Sequence, residues 1–201
     1  MSVLHPDLLT TEAEGAIPVR FVGPDGAMDA GIRGWAEANA FKGKSGQILV
    51  APDGQGGLAA VLVGVGERFD PMSARALPTR LPPGLYRLEA EPEDARAAAL
   101  AFLLGAYVFD RYKAKPDRDR VRLVAPEGLE VEAALRIASA CALAREMIDT
   151  PAADMGPLQI ETIAREIAAA SGASLSVITG DDLLEENYPA VHAVGRAAAP
   201  H

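Results

Sequence analysis

The chain carries Thr150-Pro151 and, six residues later, Gly156-Pro157, and no regular helix runs through both pairs. Proline lacks the backbone N–H and drives the preceding residue toward extended geometry, so a helix must stop before Pro151. Pro157 precedes an amphipathic run, where a proline suits the first helical position. The spacing therefore predicts one helix over 129–148, a rigid elbow, and a second helix over 158–168. Asp154, short of that second helix, is placed to accept backbone N–H bonds at its start. Glu132 with Arg136 and Glu161 with Arg165 are spaced to pair at i,i+4, one pair on each helix.

Before the elbow, strand and helix patterns mix. Residues up to Gly15 read as a polar lead-in, 17–22 as a strand, and Gly23-Pro24-Asp25-Gly26 as a turn. Residues 32–38 fit a short helix weakened by Gly34. The apolar runs 47–51 and 58–65, joined by Pro52-Asp53-Gly54-Gln55-Gly56-Gly57, carry a hairpin signature. One or two helical turns over 75–80, a strand over 84–88, a helix over 95–108 that is apolar nearly all round, and a strand over 120–125 follow. This mixture predicts an α/β domain ending near Pro126.

Beyond the elbow, Ile160, Ile163, Ala164 and Ile167 mark one helix face. Ser171-Gly172 closes that helix, 175–178 reads as a short strand, and Gly180-Asp181-Asp182 starts a short helix with Leu183 and Leu184 on its buried side. About fifty residues with one strand cannot bury enough surface to stand alone. This last stretch is expected to open a larger domain, with an apolar face still to be covered.

The net charge of −9 disfavours nonspecific attraction to nucleic acid or an anionic membrane. Arg111, Lys113, Lys115, Arg118, Arg120 and Arg122 cluster in sequence, but Asp110, Asp117 and Asp119 interleave with them as in a solvated connector. The single cysteine, Cys141, excludes an internal disulfide, and its apolar neighbours predict a buried thiol in a reducing compartment. No secretory signal is visible in the first ten residues. The longest apolar run, about 13 residues, falls short of the ~20 that span a membrane. The expected location is cytoplasmic.

Candidate chemistry is sparse. His5, His192 and His201 share no metal-ligand spacing, and neither H-E-x-x-H nor C-x-x-C occurs. His192 reads as a structural histidine. Gly43-Lys44-Ser45 imitates the end of a phosphate-binding loop, but Ala38 stands where the first glycine belongs. Gly54, Gly56 and Ala59 match a relaxed dinucleotide pattern, yet a strand rather than a helix follows. Asp181, Asp182, Glu185 and Glu186 could be imagined around a metal, although acidic residues at a helix start ordinarily complement its dipole. No Ser-His-Asp or Cys-His arrangement has local support.

Three ordered segments carry a resemblance. The elbow Asp149-Thr150-Pro151-Ala152-Ala153-Asp154-Met155-Gly156-Pro157 resembles the N-T-P-A-N-D-M-G-P segment of leucyl aminopeptidases, the dinuclear-metal peptidases also called cytosol aminopeptidases. Asp149 and Ala153 stand where the family usually has Asn. Upstream, Gly105-Ala106-Tyr107-Val108-Phe109-Asp110-Arg111-Tyr112-Lys113 is similar to G-x-Y-x-F-D-x-Y-K; downstream, Tyr188-Pro189-Ala190-Val191-His192-Ala193-Val194-Gly195-Arg196 is similar to F-P-x-I-H-A-V-G-R.

The resemblance implies a macro-like α/β domain with a mixed sheet over 1–126, a connecting helix over 127–149, and an incomplete first part of an α/β peptidase domain over 150–201. It further implies removal of N-terminal residues from peptides, two divalent ions (Mn or Zn) in the full-length enzyme, and a hexamer. The family's metal ligands lie in motifs of the V-G-K-G-x-x-x-D-[ST]-G-G and N-T-D-A-E-G-R type, and neither occurs here. This chain is therefore expected to hold no catalytic or metal-binding residue and to be inactive alone, with Asp149, Thr150, Pro151, Ala152, Asp154, Met155, Gly156 and Pro157 as structural elbow residues. The competing expectation is a non-enzymatic binding or oligomerisation module, for DNA or an ADP-ribose-like ligand.

Overall fold

The computed structural model describes residues 6–26, 28–113 and 120–197. The chain divides into two compact units, Met1–Ala144 and Arg145–His201, with the division inside one helix.

The first unit is built on a mixed sheet. Its described strands are β1 (Leu9–Thr10), β2 (Ile17–Val22), β3 (Ile48–Pro52), β4 (Leu58–Gly64), β5 (Gly84–Glu89) and β6 (Val121–Val124), in the spatial order β1-β6-β5-β2-β4-β3. Neighbours are parallel except β3 with β4, which form the antiparallel hairpin expected from the Pro52 to Gly57 turn. Helices α1 (Ala30–Ala38), α2 (Leu77–Arg80), α3 (Pro92–Gly105) and α4 (Val131–Asp149) flank the sheet. The predicted α/β class with a mixed sheet is the observed one.

Period-two alternation decides which side chains meet which helices. Val61 and Val63 of β4 join Val19, Tyr86, Leu88, Val121 and Leu123 in the main core, together with Phe102 and Leu103 of α3 and Ala134, Ala138 and Ala142 of α4. Leu62, between the two valines, points the other way and packs with Val22, Ala36 and Phe41 in a smaller cluster that includes α1. Alanine predominates on the buried sides of α3 and α4, so these helices are apolar without being bulky. Fully burying each of Phe102 and Leu103 contributes roughly 1.5–3 kcal/mol.

Three expectations change here. The polar lead-in instead holds a 3-10 turn, Pro6–Leu8, and β1, with Leu8 and Leu9 buried; a two-residue strand has no periodicity to read, and its partner β6 is distant in sequence. The helix expected over 95–108 ends at Gly105, where the chain passes so close over the backbone carbonyl of Arg75 that a side chain would collide with it. Cys141 is half-buried rather than buried.

The second unit contains α5 (Pro157–Ser171), α6 (Asp182–Glu185) and α7 (Pro189–Gly195). Pro157 takes the first helical position and Gly172, at φ +68°, closes α5 in the left-handed conformation, as the sequence requires. The strand expected over 175–178 is absent: these residues pair with no ladder among the described residues, and Leu175 and Ile178 remain exposed. A strand is defined by its neighbour, and here none is supplied.

Candidate functional site

The elbow carries short-range hydrogen bonds of both backbone and side chains. Asp149 is the last residue of α4. Thr150 follows, buried, and satisfies its polar groups locally: its N–H donates to the Glu146 carbonyl at 3.0 Å and its Oγ1 to the same oxygen at 2.6 Å. That second bond lets a hydroxyl be buried where the helix must end. Pro151, Ala152 and Asp154 are exposed, and the Asp154 N–H closes a turn onto the Pro151 carbonyl at 2.8 Å. Met155 and Gly156 are half-buried. The Gly156 N–H donates to Gln159 Oε1 at 3.0 Å, the half of a capping box that a glycine cap permits, and Pro157 then opens α5. The Glu161–Arg165 pair forms at 2.7 Å, whereas Glu132 and Arg136 are 3.9 Å apart.

Among the described residues, the remaining polar candidates do not converge on a reaction centre. His192, on α7, places Nε2 3.2 Å from Asp181 Oδ1, which ties the start of α6 to α7. Asp182, Glu185 and Glu186 are exposed around that same helix. His5 and His201 lie outside the described residues, as do Lys115, Asp117, Arg118 and Asp119 of the charged connector. Gly54 and Gly56, at φ +80° and +100°, belong to the β3–β4 hairpin loop rather than to a nucleotide cradle. There the Asp53 carboxylate accepts the N–H groups of Gln55 at 2.7 Å and Gly57 at 2.9 Å, which holds it below the usual carboxylate range. Gly43, at φ +64°, packs against the Gly23 carbonyl, so Gly43-Lys44-Ser45 is a crowded loop contact.

One polar cluster has no sequence signal. Arg20 on β2 reaches Glu89 on β5 at 2.9 Å and Asp29, at the N-cap of α1, at 2.6 Å. Those bonds, the one to Glu89 first, raise the guanidinium pKa. Its partners are 69 and 9 residues away; the parallel register of β2 and β5 sets Arg20 beside Glu89, and the start of α1 brings Asp29.

Among the described residues, no three or more His, Cys, Asp or Glu side chains group so as to hold a metal ion. A pair of divalent ions therefore does not fit the residues described here, and no reaction step is assigned to them. No helix among the described residues is long and apolar enough to cross a membrane.

Comparison with known proteins accounts for this arrangement. Residues 25–126 match the family described as M17 aminopeptidase, N-terminal domain. The probable cytosol aminopeptidase of Synechocystis is 30% identical over 77% of this chain and 36% of its own length. Among solved structures, the cytosol aminopeptidase of Coxiella burnetii matches with a TM-score of 0.82 and 31% identity, covering 96% of this chain and 44% of that one. The bottromycin maturation enzyme BotP, in complex with Mn, matches with a TM-score of 0.70 and 26% identity, over 91% of this chain and 42% of that one. The chain thus spans less than half the length of these relatives. It belongs to the M17 aminopeptidase family and carries that family's N-terminal domain.

Proposed function

We propose that this chain supplies the N-terminal part of a metal-dependent leucyl aminopeptidase that removes N-terminal residues from peptides. In this reading 1–126 is the N-terminal domain, 127–149 the connecting helix, and 150–201 the first part of the catalytic domain. The observation that carries it is the N-terminal-domain match over 25–126, joined to a sequence that contains neither the lysine loop nor the N-T-D-A-E-G-R type motif. The BotP complex with Mn supports metal dependence in a relative. Two divalent ions, Mn or Zn, would be held by residues outside these 201 and would supply an activated water and polarise the scissile carbonyl. The enzyme would be cytoplasmic and hexameric.

This chain's own contribution is architectural. Thr150 ends α4 with a hydroxyl bond to the Glu146 carbonyl, and Gly156-Pro157 starts α5 with the Gln159 cap. In this reading no side chain among the described residues transfers a proton or attacks a carbonyl.

The experiment compares the 201-residue protein with a polypeptide that also carries the lysine-loop and D-[ST]-G-G segments. Only the longer protein is expected to release leucine from leucine amide with added manganese. Release by the purified 201-residue protein itself would overturn the proposal.

A further inference from the structure

Half of the sheet in the first unit is open on one side. On β5 and β6, Tyr86, Leu88, Val121 and Leu123 enter the main core, so period-two alternation turns Leu85, Arg87, Glu89, Arg122 and Val124 to the opposite face. Arg20 of β2 shares that face, since it pairs in register with Glu89 and bonds to it at 2.9 Å. Arg87 reaches the other Glu89 oxygen at 3.3 Å, and Arg122 stands in register with Leu85 on the neighbouring strand. On this side of the sheet α1 packs over Val22, Leu62 and Leu49, on β2, β4 and β3. The buried residues of α2, α3 and α4 all belong to the main core, on the opposite side. Among the described residues of the first unit, no helix therefore covers β5 and β6 here. Arg87 and Arg122 are exposed, with Leu85 and Val124 half-buried beside them.

Parallel strands are ordinarily covered on both faces, so an open one that sets apolar side chains among arginines marks an interaction surface. Its chemistry selects the occupant. Arg20 is held between Glu89 and Asp29, which leaves Arg87 and Arg122 to carry the outward charge. The planar guanidinium fork takes carboxylates in pairs of hydrogen bonds, and Leu85 and Val124 offer aliphatic side chains a floor between those contacts. A nucleic acid brings phosphates but no aliphatic groups, and a net charge of −9 repels so dense a polyanion. A second copy laid face to face would set arginine against arginine.

We propose that the open β5–β6 face docks a partner polypeptide segment in which acidic residues are interspersed with aliphatic ones. Arg87 and Arg122 take its carboxylates, and Leu85 and Val124 take its apolar side chains. The test titrates the 201-residue protein into a dansylated peptide of repeated Leu-Glu-Glu triplets, with binding read by fluorescence anisotropy at low salt and located by backbone amide NMR shifts.

Shifts are expected over 85–89 and 121–124 and not over β3. The double variant Arg87→Ala/Arg122→Ala should weaken binding roughly tenfold, its Trp35 emission confirming the fold, whereas Arg136→Ala on α4 should leave binding unchanged. A peptide that does not bind overturns the inference, as does binding that the double variant leaves intact. Shifts confined to other segments overturn it independently of any variant. Duplex DNA that binds as tightly, and is lost in the same double variant, overturns it in favour of a nucleic-acid surface.

Discussion

The indole Nε1 of Trp35 on α1 donates to the backbone carbonyl of Val50 on β3 at 3.0 Å. The Gly64 N–H donates to the Gln47 carbonyl, so the alternating antiparallel pattern turns the polar groups of residues 47, 49 and 51 toward β4 and those of Val50 outward. Trp35 thus occupies an acceptor on the open edge of the sheet. Trp35→Phe keeps an aromatic ring but loses the pyrrole N–H and this bond, at a cost of about 1 kcal/mol in urea unfolding followed by circular dichroism. Trp35→Ala, which uncovers the edge, is expected to raise the sedimentation coefficient with concentration.

Two glycines in helices should respond in opposite directions. A Cβ at Gly105 would collide with the Arg75 carbonyl, so Gly105→Ala is expected to destabilise the protein by roughly 1–3 kcal/mol. Gly34 lies in the interior of α1 with open space around it, and Gly34→Ala should stabilise by up to about 1 kcal/mol. Thermal melts of the two variants against the parent decide both.

Tyr86 links alkaline pH to stability. It is buried, and its hydroxyl donates to the Pro82 carbonyl at 2.8 Å. Burial raises its pKa above the ordinary 10.0, so the folded protein holds this proton more tightly than the unfolded chain. The resulting stability is fully present below that ordinary value and is lost as pH rises beyond it. Tyr86→Phe is expected to cost about 1 kcal/mol near neutral pH and to remove part of the alkaline loss, as read from urea midpoints.

Asp53 acts at the other end of the scale. Its carboxylate is held below the ordinary 3.8 by the Gln55 N–H first and the Gly57 N–H second. A depressed folded value means the contribution is present above 3.8 and lost as pH falls through the folded pKa. Asp53→Asn should therefore flatten the acid limb of the stability profile while leaving the alkaline limb alone. Unchanged acid dependence would remove Asp53 from the linkage.

The elements that were legible in the sequence are those whose signal is local. The Pro52 to Gly57 turn announced the β3–β4 hairpin, Pro157 and Gly172 bracketed α5, and the alternation of 17–22 gave β2. What failed needed a distant partner. Leu8 and Leu9 are buried only because β6 lies beside β1, and α3 stops where the Arg75 backbone crosses Gly105. The sequence 175–178 has the composition of a strand but no neighbour. At the candidate site, the two prolines located the elbow, whereas the Thr150 Oγ1 bond and the Gln159 cap depend on side-chain geometry that spacing cannot specify. The Arg20 cluster depends on register between strands and was invisible for the same reason.

The pairing of Leu9 with Leu123 has a consequence for synthesis. A chain made from its first residue onward releases β1 from the ribosome more than a hundred residues before the strand that will hold it. Through that interval Leu8 and Leu9 have no core to enter, while the β3–β4 hairpin can close as soon as Gly64 emerges. β1 is thus made before the other described strands and gains its place in the sheet after them, and until then it stays open to whatever chaperone or processing enzyme meets the nascent chain.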